Sequence, residues 1–293
     1  MAKVETNGSR DVMQYVASDD VEQAIEAIAS DGCVVLENAV SESDAAELAE
    51  LVLNSPTRTP GVSGYEFVVC LMNHDLRFLK RAMHPTVLEL ARHQLGGRTE
   101  PAPNAFAWPE EHQILLGSVD GLVAHSGSDP GWWHMDSPMG QLNQSRPLPD
   151  FPILVNAIWM LTPFSAESGG TLVVPGSHRW PRNPAAGDMP EVDNEAVYPT
   201  ERHVEGPAGS ALVYDSRLWH AVAANRSDQP RVALIVRYAP WWLNLNPTLV
   251  GRPEHQAMVV ETGGKNYEMA PLDREVFARL PCQVQPLYRH WVG

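Results

Sequence analysis

From Gln113 onward the chain is cut into short apolar runs, rich in β-branched and aromatic residues, between clusters of Gly, Pro, Ser and Asp. The clearest runs are Ile153–Leu161, Thr171–Val174, Ala211–Tyr214, Leu218–Ala223 and Val232–Tyr238. Such punctuation breaks helices before they can propagate and suits strands joined by tight turns. Regular short strands of this kind pack as antiparallel sandwiches or barrels. A mainly β core is therefore expected for the second two-thirds of the chain.

The first third reads differently. Asp19–Ser30 places Val21, Ala24, Ile25 and Ile28 at helical spacing, with Asp19 as the expected cap. Asp31-Gly32 breaks that helix, and Cys33–Leu36 is a short apolar run suited to a strand. Ser41–Leu53 returns to helical periodicity, and Pro85–Leu95 opens on proline and closes at Gly96-Gly97. No repeat and no clean boundary appears, so residues 1–293 read as one domain in which flanking helices buttress a β core. Residues 1–12 read as a disordered tail, and Arg179–Gly209, rich in Pro, Asp and Glu, as a surface insertion. That insertion and Pro56–Phe67 are the lid candidates by composition.

Composition narrows the class of function. A formal charge of -15 argues against nucleic acid or an anionic membrane as partner, since both need clustered Lys and Arg. Three cysteines, far apart and odd in number, supply neither a disulfide framework nor a zinc-ribbon spacing. The polar stretch Met1–Arg10 lacks the apolar core of a signal peptide, and no apolar run has the length of a membrane span. A cytoplasmic protein acting on a small molecule is the expectation.

The chemistry concentrates in Gly131-Trp132-Trp133-His134-Met135-Asp136. In an extended segment alternate side chains share a face, so His134 and Asp136 point together while Met135 points away. An imidazole and a carboxylate on one face are two legs of a facial metal triad with open coordination positions. His220, just after the apolar run Ala211–Tyr214, is the best candidate for the third ligand. The bland alternative is a hydrogen-bonded structural histidine, because a His-x-Asp spacing alone is a weak motif. Three downstream features add weight: the turn–strand–turn Gly169–His178, the strand leading to His220, and Arg231 eleven residues beyond His220. A buried guanidinium at Arg231 would clamp a carboxylate with two parallel hydrogen bonds.

This order of His-x-Asp, Gly-Gly-Thr-Leu-x-x-x-Pro-Gly-Ser-His, His and then Arg resembles the phytanoyl-CoA dioxygenase family. The opening Asp31-Gly32-Cys33-Val34-Val35-Leu36-Glu37-Asn38 looks like that family's N-terminal strand. The likeness runs from about residue 18 to 240; Pro56–Gly64 and the tail from Trp241 match nothing in it. The resemblance implies a double-stranded β-helix (a cupin-like jelly roll) and an Fe(II)- and 2-oxoglutarate-dependent oxygenase. It implies iron on His134, Asp136 and His220, and dioxygen and 2-oxoglutarate as cosubstrates. It pairs Arg231 with the distal carboxylate of 2-oxoglutarate and sets Trp159 in the cosubstrate pocket, where plain core packing is the competing reading. Oxidation of an unactivated C–H bond would then release succinate and carbon dioxide. Related halogenases lack the carboxylate ligand, so Asp136 implies oxygenation.

Other residues compete for roles. Arg237 rivals Arg231 from the same strand face, but its spacing from His220 does not match the family. His125, His178 and Gln141 read as pocket, turn or contact residues, and Trp132 and Trp133 either as an aromatic wall or as surface and core. An apolar, bulky secondary-metabolite substrate is expected from the aromatic neighbourhood and from the absence of a basic cluster suited to coenzyme A. Two other classes stay open: a cupin-like metal-dependent hydrolase or isomerase, which would not need Arg231, and a non-catalytic jelly-roll binding module.

Overall fold

Helix caps and glycines punctuate the first part of the chain. The computed structural model describes residues 13–60, 64–96, 100, 109–136, 149–181, 183–184, 198, 200–261 and 269–293. Helix α1 spans Val21–Asp31, and its cap is Asp20, whose side chain accepts from the Gln23 amide at 3.1 Å. The expected cap, Asp19, lies one residue too early to reach that amide. Gly32, at φ +80°, ends the helix in the left-handed conformation that glycine adopts without a Cβ penalty. Helix α2, Glu42–Leu53, is capped by Ser41, which accepts from the Asp44 amide at 3.1 Å. Helices α3, Leu79–Ala82, and α4, Pro85–Leu95, follow. Gly96 ends α4 in an extended conformation.

Among the described residues eleven strands form two sheets. The larger has the order β1-β2-β9-β6-β11-β5-β4-β3, and the smaller β10-β7-β8. Their spans are β1 Tyr15–Ala17, β2 Cys33–Glu37, β3 Arg58–Pro60, β4 Tyr65–Val68, β5 Ile114–Ala124 and β6 Val155–Met160. The rest are β7 Thr171–Val173, β8 Arg202–His203, β9 Ala211–Asp215, β10 His220–Val222 and β11 Arg231–Pro240. Apart from the parallel β1–β2 edge, every pairing between these strands is antiparallel. The larger sheet is open, not closed into a barrel.

Side-chain alternation sorts the core. On β2, Val34 and Leu36 pack with Ile28 of α1, Val52 of α2 and Leu90 of α4. Cys33 and Val35 point the other way, into a second cluster that joins Leu212 and Ile235 of the larger sheet to Val173 of the smaller one. Each fully buried aliphatic side chain contributes about 1.5–3 kcal/mol of transfer free energy, so these two layers hold the sheets and helices together. Residues Pro56–Phe67, a lid candidate by composition, include β3 and much of β4 at the sheet edge; 61–63 lie outside the described residues. Of the 179–209 insertion, Arg202–His203 forms β8 against β7, while 182, 185–197 and 199 lie outside the described residues, as does the 1–12 tail.

Candidate metal centre

The Trp132–Asp136 segment is extended but joins the smaller sheet by a single antiparallel bridge, His134 to His220. The bridge is reciprocal: each histidine amide donates to the other's carbonyl at 3.0 Å. The Asp136 amide donates to the Ser216 carbonyl at 2.9 Å and the Gly131 amide to the Val222 carbonyl at 2.9 Å, which fixes the segment on both sides of His134. The sequence places His134 and Asp136 on one face; the bridge places His220 beside them. Ligand atoms of the three residues lie within 4.8 Å of one another. His134 Nε2 is 3.8 Å from Asp136 Oδ1, and His220 Nε2 is 3.5 Å from Asp136 Oδ2.

The free atoms of this cluster are set by their partners. His134 Nδ1 faces the Trp132 carbonyl at 3.0 Å and His220 Nδ1 faces the Leu218 carbonyl at 2.9 Å. A carbonyl only accepts, so each Nδ1 carries the proton and each Nε2 presents a lone pair, the tautomer a metal requires. Burial, reinforced by His134 and opposed by Asp136, pushes His220 down to about 4 and keeps the imidazole neutral. Burial alone would raise Asp136, but the positive charge that His220 and His134 carry when protonated, with Arg237 and the Tyr214 hydroxyl, outweighs it and holds the carboxyl below its usual range. Two neutral imidazoles and one carboxylate are the donor set of a divalent metal with open positions.

Arg231 begins β11 and is 2% exposed. Its Nε donates to the Gly169 carbonyl at 2.9 Å, and its guanidinium carbon sits 4.8 Å from the Phe164 ring centroid. Nη2 is buried without a hydrogen-bond partner, and among the described residues no carboxylate pairs with the guanidinium. Burial, partly offset by Tyr65, pulls it down to about 10, so it remains a cation near neutral pH. A buried cation with an unmet donor is a site for an anion. Gly169, at φ +77°, brings its carbonyl there; a Cβ would come within 2.8 Å of the Ala223 carbonyl.

The remaining candidates separate clearly. Trp159 lies on the opposite face of β6 from Asn156, in the helix-side core, 5.3 Å from the His84 ring. Its assignment to the cosubstrate pocket is corrected: alternation along β6 turns it toward the helices. Arg237 is paired with Asp120, at 2.5 Å, and with Ser118, at 2.9 Å. His125 pairs with Glu66 at 2.9 Å on the sheet edge. His178 packs over Gly32 at the end of α1. Trp133 is buried with Met135, Val174, Trp219 and Ala221, whereas Trp132 is 55% exposed. Gln141 lies outside the described residues.

Sequence reasoning missed two neighbours of Asp136. Asn156 Nδ2 donates to Asp136 Oδ2 at 2.6 Å, and the Tyr214 hydroxyl donates to the same oxygen at 2.8 Å. The available signal was Asn156 itself, a polar residue inside the apolar run Ile153–Leu161.

The two sheets and the His–Asp–His cluster between them define a jelly-roll protein with a candidate mononuclear metal centre. The chain belongs to the phytanoyl-CoA dioxygenase (PhyH) family, whose model matches residues 28–233. It is 29% identical over 159 residues to dioxygenase af480 of Aspergillus fumigatus, covering 54% of this chain and 43% of that protein. It is 36% identical over 165 residues to the uncharacterized protein Rv1501 of Mycobacterium tuberculosis, covering 55% of each. The chain thus spans about half the length of the curated relatives it matches. Among solved structures it resembles HygX from Streptomyces hygroscopicus with nickel and 2-oxoglutarate bound, with a TM-score of 0.59, 17% identity and coverage of 75% and 87%. The epimerase SnoN, in complex with Fe3+, alpha ketoglutarate and nogalamycin RO, gives a TM-score of 0.57 at 21% identity, with coverage of 75% and 83%. These two likenesses are of fold.

Proposed function

We propose that this protein is an Fe(II)- and 2-oxoglutarate-dependent oxygenase that oxidises an unactivated C–H bond of a small, apolar substrate. The observation that carries the reading is the convergence of His134 Nε2, His220 Nε2 and the Asp136 carboxylate within 4.8 Å, while Nδ1 of each histidine is held by a backbone carbonyl. These three residues would hold the iron. When bound, iron and 2-oxoglutarate supply an oxidation that consumes dioxygen and releases succinate and carbon dioxide. The chain's part is to bind and orient. Arg231, buried and without an anionic partner among the described residues, takes the distal carboxylate of 2-oxoglutarate, and the apolar layer around Phe164 keeps water from that ion pair. The retained Asp136 favours oxygenation over halogenation.

For the substrate, support comes from exposed aromatic surface. Trp132 is exposed two residues before His134, and Phe151 and Trp242 form an exposed pair with ring centroids 6.3 Å apart. Exposed aromatics of this kind suit a bulky apolar ligand. The net charge of -15 disfavours the phosphates of coenzyme A. SnoN and the carbocyclase SnoK are both described as coming from nogalamycin biosynthesis, which is consistent with a secondary-metabolite intermediate here.

Anaerobic addition of iron(II) and 2-oxoglutarate to the metal-free protein tests the reading. A weak visible metal-to-ligand charge-transfer band is expected, and it should vanish in His134→Ala. A folded, iron-loaded protein without the band would favour the metal-dependent hydrolase or isomerase reading instead.

A further inference from the structure

A row of polar side chains crosses the inner face of the larger sheet, which is otherwise lined by Val35, Leu212, Ile158, Ala233 and Ile235. Tyr214 of β9 is directly opposite Asn156 of β6, and Asn156 is directly opposite Arg237 of β11. A shift of register between Val236 and Tyr238, at Arg237, lets that guanidinium reach Ser118 and Asp120 of β5. Bulges of this kind re-aim side chains at functional sites. Side chains directly opposite on antiparallel strands have Cβ atoms only about 4.5–5.5 Å apart, so the tips of Tyr214 and Asn156 converge. They converge on one atom, Asp136 Oδ2.

The arrangement is specific to that oxygen. Asn156 is fully buried and Tyr214 is 2% exposed. The amide's Nδ2 is fixed as the atom facing Asp136, because an ionised carboxylate only accepts. Its Oδ1 is then buried without a partner. An amide placed only to satisfy its own polar atoms would not leave its acceptor unmet. Phenylalanine would fill the space of Tyr214 and keep its ring against His220, at 4.9 Å between centroids, without needing a partner for a hydroxyl. Both residues carry a desolvation cost whose return is the two bonds to Oδ2.

We propose that Tyr214 and Asn156 are paired positioning residues that lock Asp136 as a one-oxygen metal ligand, an inference that rests on the metal site proposed above. A carboxylate free to rotate presents both oxygens and chelates a metal, closing a coordination position that a cosubstrate needs. Two donors on Oδ2, which also lies 3.5 Å from His220 Nε2, oppose that rotation, while Oδ1 faces His134 Nε2 at 3.8 Å. Neither residue touches the metal; each acts through Asp136.

Titration of the metal-free protein with cobalt(II), followed by visible absorption, reads this without turnover. In Tyr214→Phe and in Asn156→Leu the affinity should fall about 10–100-fold, the range for losing a hydrogen-bond partner of a metal ligand. The ligand-field spectrum should change, while the circular dichroism of metal-free Tyr214→Phe stays that of the unaltered protein. Should Asn156→Leu not fold, Tyr214→Phe decides alone. Tight cobalt(II) binding by the unaltered protein, with the same affinity and spectrum in the variants, would overturn this inference and leave the metal site standing. No cobalt(II) binding by the unaltered protein would overturn both.

Discussion

Arg231 and Trp159 show how much one residue's surroundings decide. Both came from spacing and resemblance, and both are buried. Arg231 faces the inter-sheet space with an unmet Nη2, whereas Trp159 faces the helices. The chemical consequence is testable at Arg231. Replacing it with Gln keeps a donor but removes the charge, and the loss of a buried, charge-assisted pair costs about 2–5 kcal/mol, or on the order of 30- to several-thousand-fold in affinity. Calorimetric binding of 2-oxoglutarate to the metal-loaded Arg231→Gln variant should show a loss of that size. Arg231→Lys should recover it only in part, because an ammonium lacks the planar fork. Affinity within threefold of the unaltered protein would place the distal carboxylate elsewhere. Arg237, the rival, offers no comparable site: Asp120 and Ser118 already take its Nη1.

At the level of elements, the Gly169–His178 segment ties three parts of the fold together. Gly169 supports Arg231, while the Ser177 hydroxyl accepts from the Trp219 amide at 2.8 Å, next to His220. The Gly176 amide donates to Asp31 at 2.8 Å, and Arg179 donates to Ser30 at 2.8 Å, meeting carbonyls at the end of α1 that the helix leaves open. His178, between them, is packed over Gly32. Burial pushes His178 down to about 4, with Arg179 and Arg217 adding to it and Asp215 and the Ala29 backbone opposing. The sign follows directly. Between about pH 6.5 and 4 the unfolded chain binds a proton at this histidine and the folded chain does not, so stability falls as pH drops through that window. One such group contributes a slope approaching about 1.4 kcal/mol per pH unit. His290, also pushed down to about 4 by burial and by Arg289, adds in the same direction. Urea unfolding of the metal-free protein at several pH values should therefore show a steeper acid loss for the unaltered protein than for His178→Gln. Equal slopes would mean that His178 titrates in the folded state much as it does in the unfolded one.

For the molecule as a whole, metal and cosubstrate would bind between the two sheets, in a space the unfolded chain does not have. Ligands that bind only the folded state stabilise it by mass action, by about 2.7 kcal/mol at a hundred times their dissociation constant. Manganese(II) with 2-oxoglutarate should raise the melting temperature by about 5–10 °C in a chain of this size, and a chelator should reverse it. A melting temperature unmoved by saturating amounts of both would argue against a site shared by the two sheets. Much of this was legible beforehand. Five runs of apolar residues foretold β6, β7, β9, β10 and β11, and cap-and-breaker residues foretold α1, α2 and α4. Strand β5 was not among them: Gly117, Ser118, Asp120 and Gly121 interrupt its apolar pattern, yet all eleven residues are buried. Gly121 is there because α2 packs close, a Cβ meeting Val52 at 2.8 Å, and Asp120 because Arg237 needs a counter-charge. Local sequence thus determined periodicity, the helix ends and the pairing of His134 with Asp136 on one face, since these depend on backbone geometry within a few residues. Only the tertiary structure decided which strands lie side by side. That choice set Asn156 and Tyr214 on Asp136, gave Arg237 a carboxylate partner and, among the described residues, left Arg231 without one, because each outcome depends on side chains that meet only after distant strands have paired.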